Sequence, residues 1–227
     1  MPPEERETLI GDWLERYGRA RFKVLFGFLL LALVASPLLR AFGFPGSVLN
    51  ACLLMSLFSA GLGGLGLGRG LGIVVLALLF VLARGIHAIH GGTDVLTAGD
   101  VFLALASALA GVAALREALR DGPVTGERLY AATSVYLLAG LAFALIYHVL
   151  GLVQPGTLSV AGSKGATYDL DTAIYFSFVT LATLGYGDVV PSTPLARSVA
   201  ICEAVGAQLF LAVLIARLVS LQSRSEK

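Results

Sequence analysis

Charge is what this sequence has least of. Only 14% of its 227 residues are charged, against 57% hydrophobic, and mean hydropathy is +0.85. A water-soluble domain of this length needs far more polar surface, so the soluble globular class is excluded. A net charge of +1 leaves no electrostatic footprint for nucleic acid or an acidic partner. Cysteine is scarce too: Cys52 and Cys202 lie far apart in apolar blocks and read as buried thiols, not a disulfide. The three histidines, His87, His90 and His148, form no zinc pattern with them. His87 and His90 sit at a span end and read as solvated loop residues.

What the chain does have is apolar sequence in long blocks. Six stretches are long enough to cross a bilayer, which takes about twenty residues as helix. They are Val24–Phe42, Ser47–Leu65, Leu71–Ile89, Gly99–Leu115, Leu129–Val153 and Leu195–Leu221, the fourth being short. A seventh, Thr172–Ala182, reaches only half-way across at about 1.5 Å per residue, so it is predicted to be re-entrant. Ahead of them, Leu9, Ile10, Trp13, Leu14 and Tyr17 fall at helical spacing and predict a short cytoplasmic helix in place of a cleaved signal. The glycine run 61–72 has no strand before it and no soluble βαβ unit around it. Close packing of membrane helices explains it better than a nucleotide loop does.

Six crossings put both ends on one side. Of the 16 Lys and Arg residues, all but Arg40, Arg84, Lys164 and Arg197 then fall on that side, which marks it as cytoplasmic. The loop carrying the half-length helix faces out.

That loop reads DTAIYFSFVTLATLGYGDVVPSTP from Asp171 to Pro194. Asp171 is the expected N-cap, and the helix would aim the negative end of its dipole at the membrane centre, where it favours a cation. The chain after it is irregular, and irregular backbone at membrane depth survives only where protein buries it or where it lines an aqueous path. Gly185 and Gly187 allow successive carbonyls to turn toward one axis. Main-chain oxygens of Thr183, Leu184, Gly185 and Tyr186 would replace the hydration shell of a cation, with Gly187 closing the filter and the Thr183 hydroxyl adding a ring of ligands. Tyr186 is expected to point outward onto Tyr175 and Phe176. One loop cannot surround an ion, so four copies about an axis are required.

Thr183-Leu184-Gly185-Tyr186-Gly187-Asp188 resembles the Thr-Val-Gly-Tyr-Gly-Asp signature of the potassium channel superfamily, with Leu184 in place of valine. The likeness runs through Pro191–Pro194 into an inner helix, Glu203–Arg217, similar to those of bacterial channels. The resemblance implies an all-α membrane protein with six transmembrane helices, a re-entrant pore helix and a filter loop, assembled as a homotetramer in a bacterial inner membrane. It implies passive potassium conduction with no cofactor and no covalent chemistry. The rivals are a non-selective cation channel, a secondary transporter, which should show two related halves, and a non-conducting modulatory subunit.

The expected organisation is a cytoplasmic segment 1–23, a four-span unit 24–120, a pore unit 121–221 and a tail 222–227. The pore unit divides into outer helix 129–153, pore helix 171–182, filter 183–187 and inner helix 195–221. No soluble regulatory domain is expected. The fourth span has no cation between Val101 and Leu115. One charge moved through 100 mV supplies about 2.3 kcal/mol, so an uncharged span gains nothing from voltage, and gating is expected to be at most weakly voltage-dependent. Arg84 is a solvated charge or a partner for Asp94 or Asp100.

Glu203 is a carboxylate within a span, which costs about 2.5–3.5 kcal/mol on insertion scales and must face protein or water. If Gln208 lines the cavity under the filter, Glu203 lies about 140° round the helix from it. It is then a strut behind the filter, satisfied by Ser177, Thr180 or Tyr175. Gly206 is either a bend in the inner helix or a close-packing contact.

Overall fold

The computed structural model describes residues 20–35, 38, 42, 54–57, 67–120, 122, 125–162 and 168–225. The amphipathic segment before residue 20, most of the span expected at 47–65 and the first half of the glycine run at 61–72 lie outside them. Residues 20–35 are helical. Five labelled helices follow: α1 (Leu67–His90), α2 (Thr93–Ala118), α3 (Gly126–Val153), α4 (Leu170–Leu181) and α5 (Pro194–Ser225). Among the described residues, α1, α2, α3 and α5 are long and apolar enough to cross a membrane, whereas α4 is not.

α2 corrects the short fourth span expected from sequence. It runs 26 residues because Thr93–Ala98 continues the helix outward through residues too polar to count as lipid-facing. α2 packs on α1 on one side and on α3 on the other. α2 brings the small buried side chains Ala106, Ala110 and Ala114 to a core it shares with Ala131 and Leu138 of α3. Small residues let membrane helices approach closely enough for dispersion to hold them together. Phe22, Leu25 and Leu29 of the N-terminal helix complete this core.

A second core sits under the outer loop, where Tyr147, Leu158, Ala173, Phe176 and Val189 meet. Its roof is a feature the all-helical reading missed. β1 (Leu158–Val160) pairs antiparallel with β2 (Val189–Pro191), with Ser159 opposite Val190. Three-residue strands are too short to show alternation, so nothing in the sequence sets them apart from loop. The pairing ties the loop after α3 directly to the residues after the Thr183–Gly187 loop. Ala161 N–H donates to the Asp188 carbonyl at 2.8 Å, and Ser192 N–H to that of Thr157 at 2.9 Å.

α5 differs from its fellows. Only 11% of its span is buried, against 44% for α2 and 39% for α3. Leu195, Ile201, Val205, Leu209, Val213, Ile215 and Val219 all stand exposed on it. Cys202 is a free, exposed thiol on the same helix, which corrects its expected burial. A single chain does not supply enough neighbours to cover this helix.

Candidate ion-binding site

The half-length helix α4 starts at Leu170, and its N-cap is Asp169 rather than Asp171. Asp169 Oδ1 accepts from Thr172 N–H at 3.0 Å and from the Thr172 hydroxyl at 2.8 Å. Both aspartates have capping chemistry. Only the extended backbone of Asp169 decides between them, and sequence does not display that. Asp171 lies in the first turn, where its charge complements the dipole.

The other end of α4 is a Schellman motif. Leu184 N–H donates to the Val179 carbonyl at 2.9 Å and Thr183 N–H to that of Thr180 at 3.0 Å. Such motifs need a left-handed residue, usually glycine, and here Thr183 takes it at φ 58°. A β-branched residue in that region stores strain, on the order of 1–3 kcal/mol. From α3, the Tyr136 hydroxyl donates to the Leu181 carbonyl at 3.0 Å. The helix end is thus fixed from two sides.

Beyond it φ is positive at every second residue: Thr183 at 58°, Gly185 at 58° and Gly187 at 79°. A uniformly extended chain points successive carbonyls to opposite sides. Alternating the sign of φ cancels that alternation and lets consecutive carbonyls share one side. The side chains report the same geometry, because Leu184 and Tyr186 both line an apolar groove of about 460 Å³ behind the loop. Leu29 and Leu33 of the N-terminal helix and Leu137 of α3 form its far walls. The opposite face of residues 183–187 is left to the main chain. It is uncovered, as every residue from Thr183 to Asp188 is exposed.

Tyr186 shares this groove with Tyr175 and Phe178, not with Phe176. Phe176 is buried and stacks edge-on against Tyr147, with ring centroids 4.9 Å apart. Tyr175 serves Asp188 instead, its hydroxyl donating to Oδ2 at 2.7 Å. Asp188 is therefore held by α4 through its side chain and by Ala161 through its carbonyl.

Glu203 is fully buried on α5. Of its three expected partners, Ser177 is found, with its Oγ 2.5 Å from Oε1. Thr180 and Tyr175 are not. The second oxygen accepts instead from the hydroxyl of Tyr147 on α3 at 2.8 Å, a residue the sequence reading missed. Ser177 Oγ also reaches the Gly140 carbonyl at 2.7 Å. One carboxyl group thus joins α3, α4 and α5. Gln208, on the other face of α5, is exposed. Among the described residues nothing lies within 4 Å of where a Cβ on Gly206 would stand, so it makes no close packing contact with them.

Over residues 133–223 the chain matches the family model described as "Ion channel". This stretch is an ion-channel domain. It begins within α3 and takes in α4, the Thr183–Gly187 loop and nearly all of α5. The chain is 40% identical over 63 residues to a protein named two pore potassium channel c from Oryza sativa subsp. japonica, covering 28% of this chain and 13% of that one. It is 35% identical over 85 residues to the inward rectifier potassium channel Kirbac3.1 of Paramagnetospirillum magnetotacticum, covering 36% and 25%. It is 36% identical over 84 residues to protein LctB of Geobacillus stearothermophilus, covering 35% and 60%. The chain thus spans between 13% and 60% of the length of these relatives. No solved structure matches it with statistical significance. The channel domain and its apolar helices make the chain an integral membrane protein and not an enzyme.

The domain's outer loop is anchored by Tyr168, whose hydroxyl donates to the Tyr147 carbonyl at 2.5 Å. Burial pushes that hydroxyl up to about 12, so it remains a donor throughout neutral pH. The ring rests on Gly151, where a Cβ would stand 2.5 Å from its terminal atoms. Gly151→Ala is therefore expected to displace Tyr168 and lower stability by about 1–3 kcal/mol, read as a drop in the melting temperature of the detergent-purified protein. An unchanged melting temperature would show that the ring does not rest there.

Arg84 makes no ion pair with Asp94 or Asp100; its guanidinium lies 5.5 Å from the Phe80 ring centroid. Among the described residues no cluster of three metal-ligating side chains occurs.

Proposed function

We propose that this chain is one subunit of a homotetrameric, potassium-selective channel, with Thr183, Leu184, Gly185, Tyr186 and Gly187 as its filter. The observation that carries this reading is the alternating φ of residues 183, 185 and 187 at the end of a half-length helix. A loop built this way presents main-chain oxygens, the ligands that replace water around a desolvated monovalent cation. The permeant ion is potassium, and no cofactor is needed.

Tetramer formation is supported by what the single chain leaves uncovered. The filter face and most of α5 are exposed, and a four-fold axis beside them closes the ring of carbonyls and covers the inner helix at once. The full subunit has six spans, with the two beyond the labelled helices at 24–42 and 47–65. The distribution of Lys and Arg supports cytoplasmic termini, in a bacterial inner membrane. Conduction is at most weakly voltage-dependent, since Arg116 in the last turn is the only cation in α2.

The test is the purified full chain in liposomes, with reversal potential measured in mixed potassium and sodium and block measured with barium. A reversal potential following the potassium gradient is expected. One that ignores the cation species points to a non-selective pore, uphill movement to a transporter, and silence to a modulatory subunit.

A further inference from the structure

We propose that Thr157 is a positioning residue for the outer end of the filter, tying the residues after Gly187 to the end of α3. The proposal rests on the channel reading above. The inner end of residues 183–187 is fixed by α4 and α3, through the Schellman motif and the Tyr136 hydroxyl. The outer end, after Gly187, meets no helix until Pro194. Paired backbone holds it instead.

β1 and β2 supply the middle of that pairing, and it continues past both strands. Ala161 N–H donates to the Asp188 carbonyl at one end, and Ser192 N–H donates to the Thr157 carbonyl at the other. Residues 157–161 therefore run beside 188–192, starting directly after Gly187. Two paired strands are marginal by themselves, so they hold the filter only as well as they are anchored. Leu158 and Val189 anchor them in the second core, which they share with Phe176 of α4.

Thr157 is the polar anchor, and it is only 1% exposed. Its hydroxyl has one hydrogen, which the carbonyls of Gln154 at 2.7 Å and Leu150 at 3.2 Å share. Both carbonyls stand at the end of α3, where helix geometry leaves acceptors unmatched. One residue thus grips α3 with its side chain and the segment after the filter with its main chain. Two other side chains reach that segment from helices, Tyr175 at Asp188 and Arg197 at the Pro191 carbonyl, and both contacts are exposed. Water replaces an exposed hydrogen bond at little cost, but it does not reach the side chain of Thr157. Valine there keeps the size and the branch and leaves the two carbonyls facing a methyl group. They regain a donor only by turning toward solvent, and the paired strands move with them. A bound ion stabilises the ordered filter by mass action, so the loosened outer end shows at low potassium and is masked at high potassium.

The full chain, reconstituted in phosphatidylcholine–phosphatidylglycerol vesicles, is assayed for tracer potassium exchange at about 1 mM and about 100 mM potassium, equal on both sides. Thr157→Val is expected to fall roughly tenfold below wild type at the low concentration and to match it at the high one. Thr157→Ser keeps the hydroxyl and is expected to follow wild type at both. Ser192→Pro removes the N–H on the other side of the tie and should reproduce the low-potassium loss. It decides the matter if Thr157→Val fails to assemble. Wild-type exchange by Thr157→Val at low potassium, or an equal loss in Thr157→Ser, overturns the role. So does a loss of the same size at both concentrations, which marks a general folding defect. Wild-type protein that passes no potassium at either concentration sinks the channel reading instead.

Discussion

Glu203→Gln is expected to assemble and conduct, whereas Glu203→Ala is expected to lose both stability and flux. Three acceptors and two hydroxyls converge behind the filter: the Glu203 oxygens and Gly140 carbonyl on one side, Ser177 and Tyr147 on the other. A serine hydroxyl has one hydrogen, and a carbonyl only accepts. When Ser177 donates to Gly140, the hydrogen between Ser177 and Glu203 has to come from position 203. A glutamine amide supplies that N–H and keeps an oxygen for Tyr147. Alanine supplies neither and opens a cavity. Leaving the buried Tyr147 hydroxyl without its acceptor costs about 1–3 kcal/mol, while Ser177 keeps the Gly140 carbonyl. A fall in melting temperature and a roughly tenfold loss of flux are expected for Glu203→Ala. Wild-type flux in Glu203→Ala would show that the strut has no mechanical role. Loss of conduction by Glu203→Gln with assembly intact would show that position 203 needs a charge.

Gly185→Ala is expected to abolish potassium flux while leaving assembly intact. Space is not the reason, because no described residue lies within 4 Å of the position a Cβ would take. The reason is φ 58°, which costs an L residue about 1–2 kcal/mol. In the proposed tetramer that cost recurs in every subunit. The residue relieves it by rotating its peptide, and a rotated peptide turns a carbonyl away from the ion path. Potassium efflux should fall by roughly an order of magnitude or more, with the oligomer unchanged on size exclusion. Normal flux through Gly185→Ala would mean that the alternating backbone is not what binds the ion.

The strut and the filter were legible to different depths. That residues 171–187 make a half-length helix and a glycine-spaced turn follows from residue types in order. So does the need of a carboxylate at position 203 to face protein or water. Which partner it has does not follow: Tyr147 is 56 residues away, and its hydroxyl reaches Oε2 only because α3 and α5 pack through the second core. For the same reason Phe176 faces Tyr147 rather than Tyr186. The three-residue strands beside the filter have no local signal, since neither forms without the other.

By itself the sequence determined the membrane class, the apolar blocks and the place of the half-length helix with its glycine-spaced turn. Hydropathy and backbone permissiveness are properties of residues in order, and they act before any long-range contact forms. Only the tertiary structure decided that Asp169 caps α4, that Thr183 holds a left-handed turn, and that Asp100 meets His148. Each depends on the direction of a backbone or side chain after helices have packed, and the packing is set by small residues shared between helices distant in the chain.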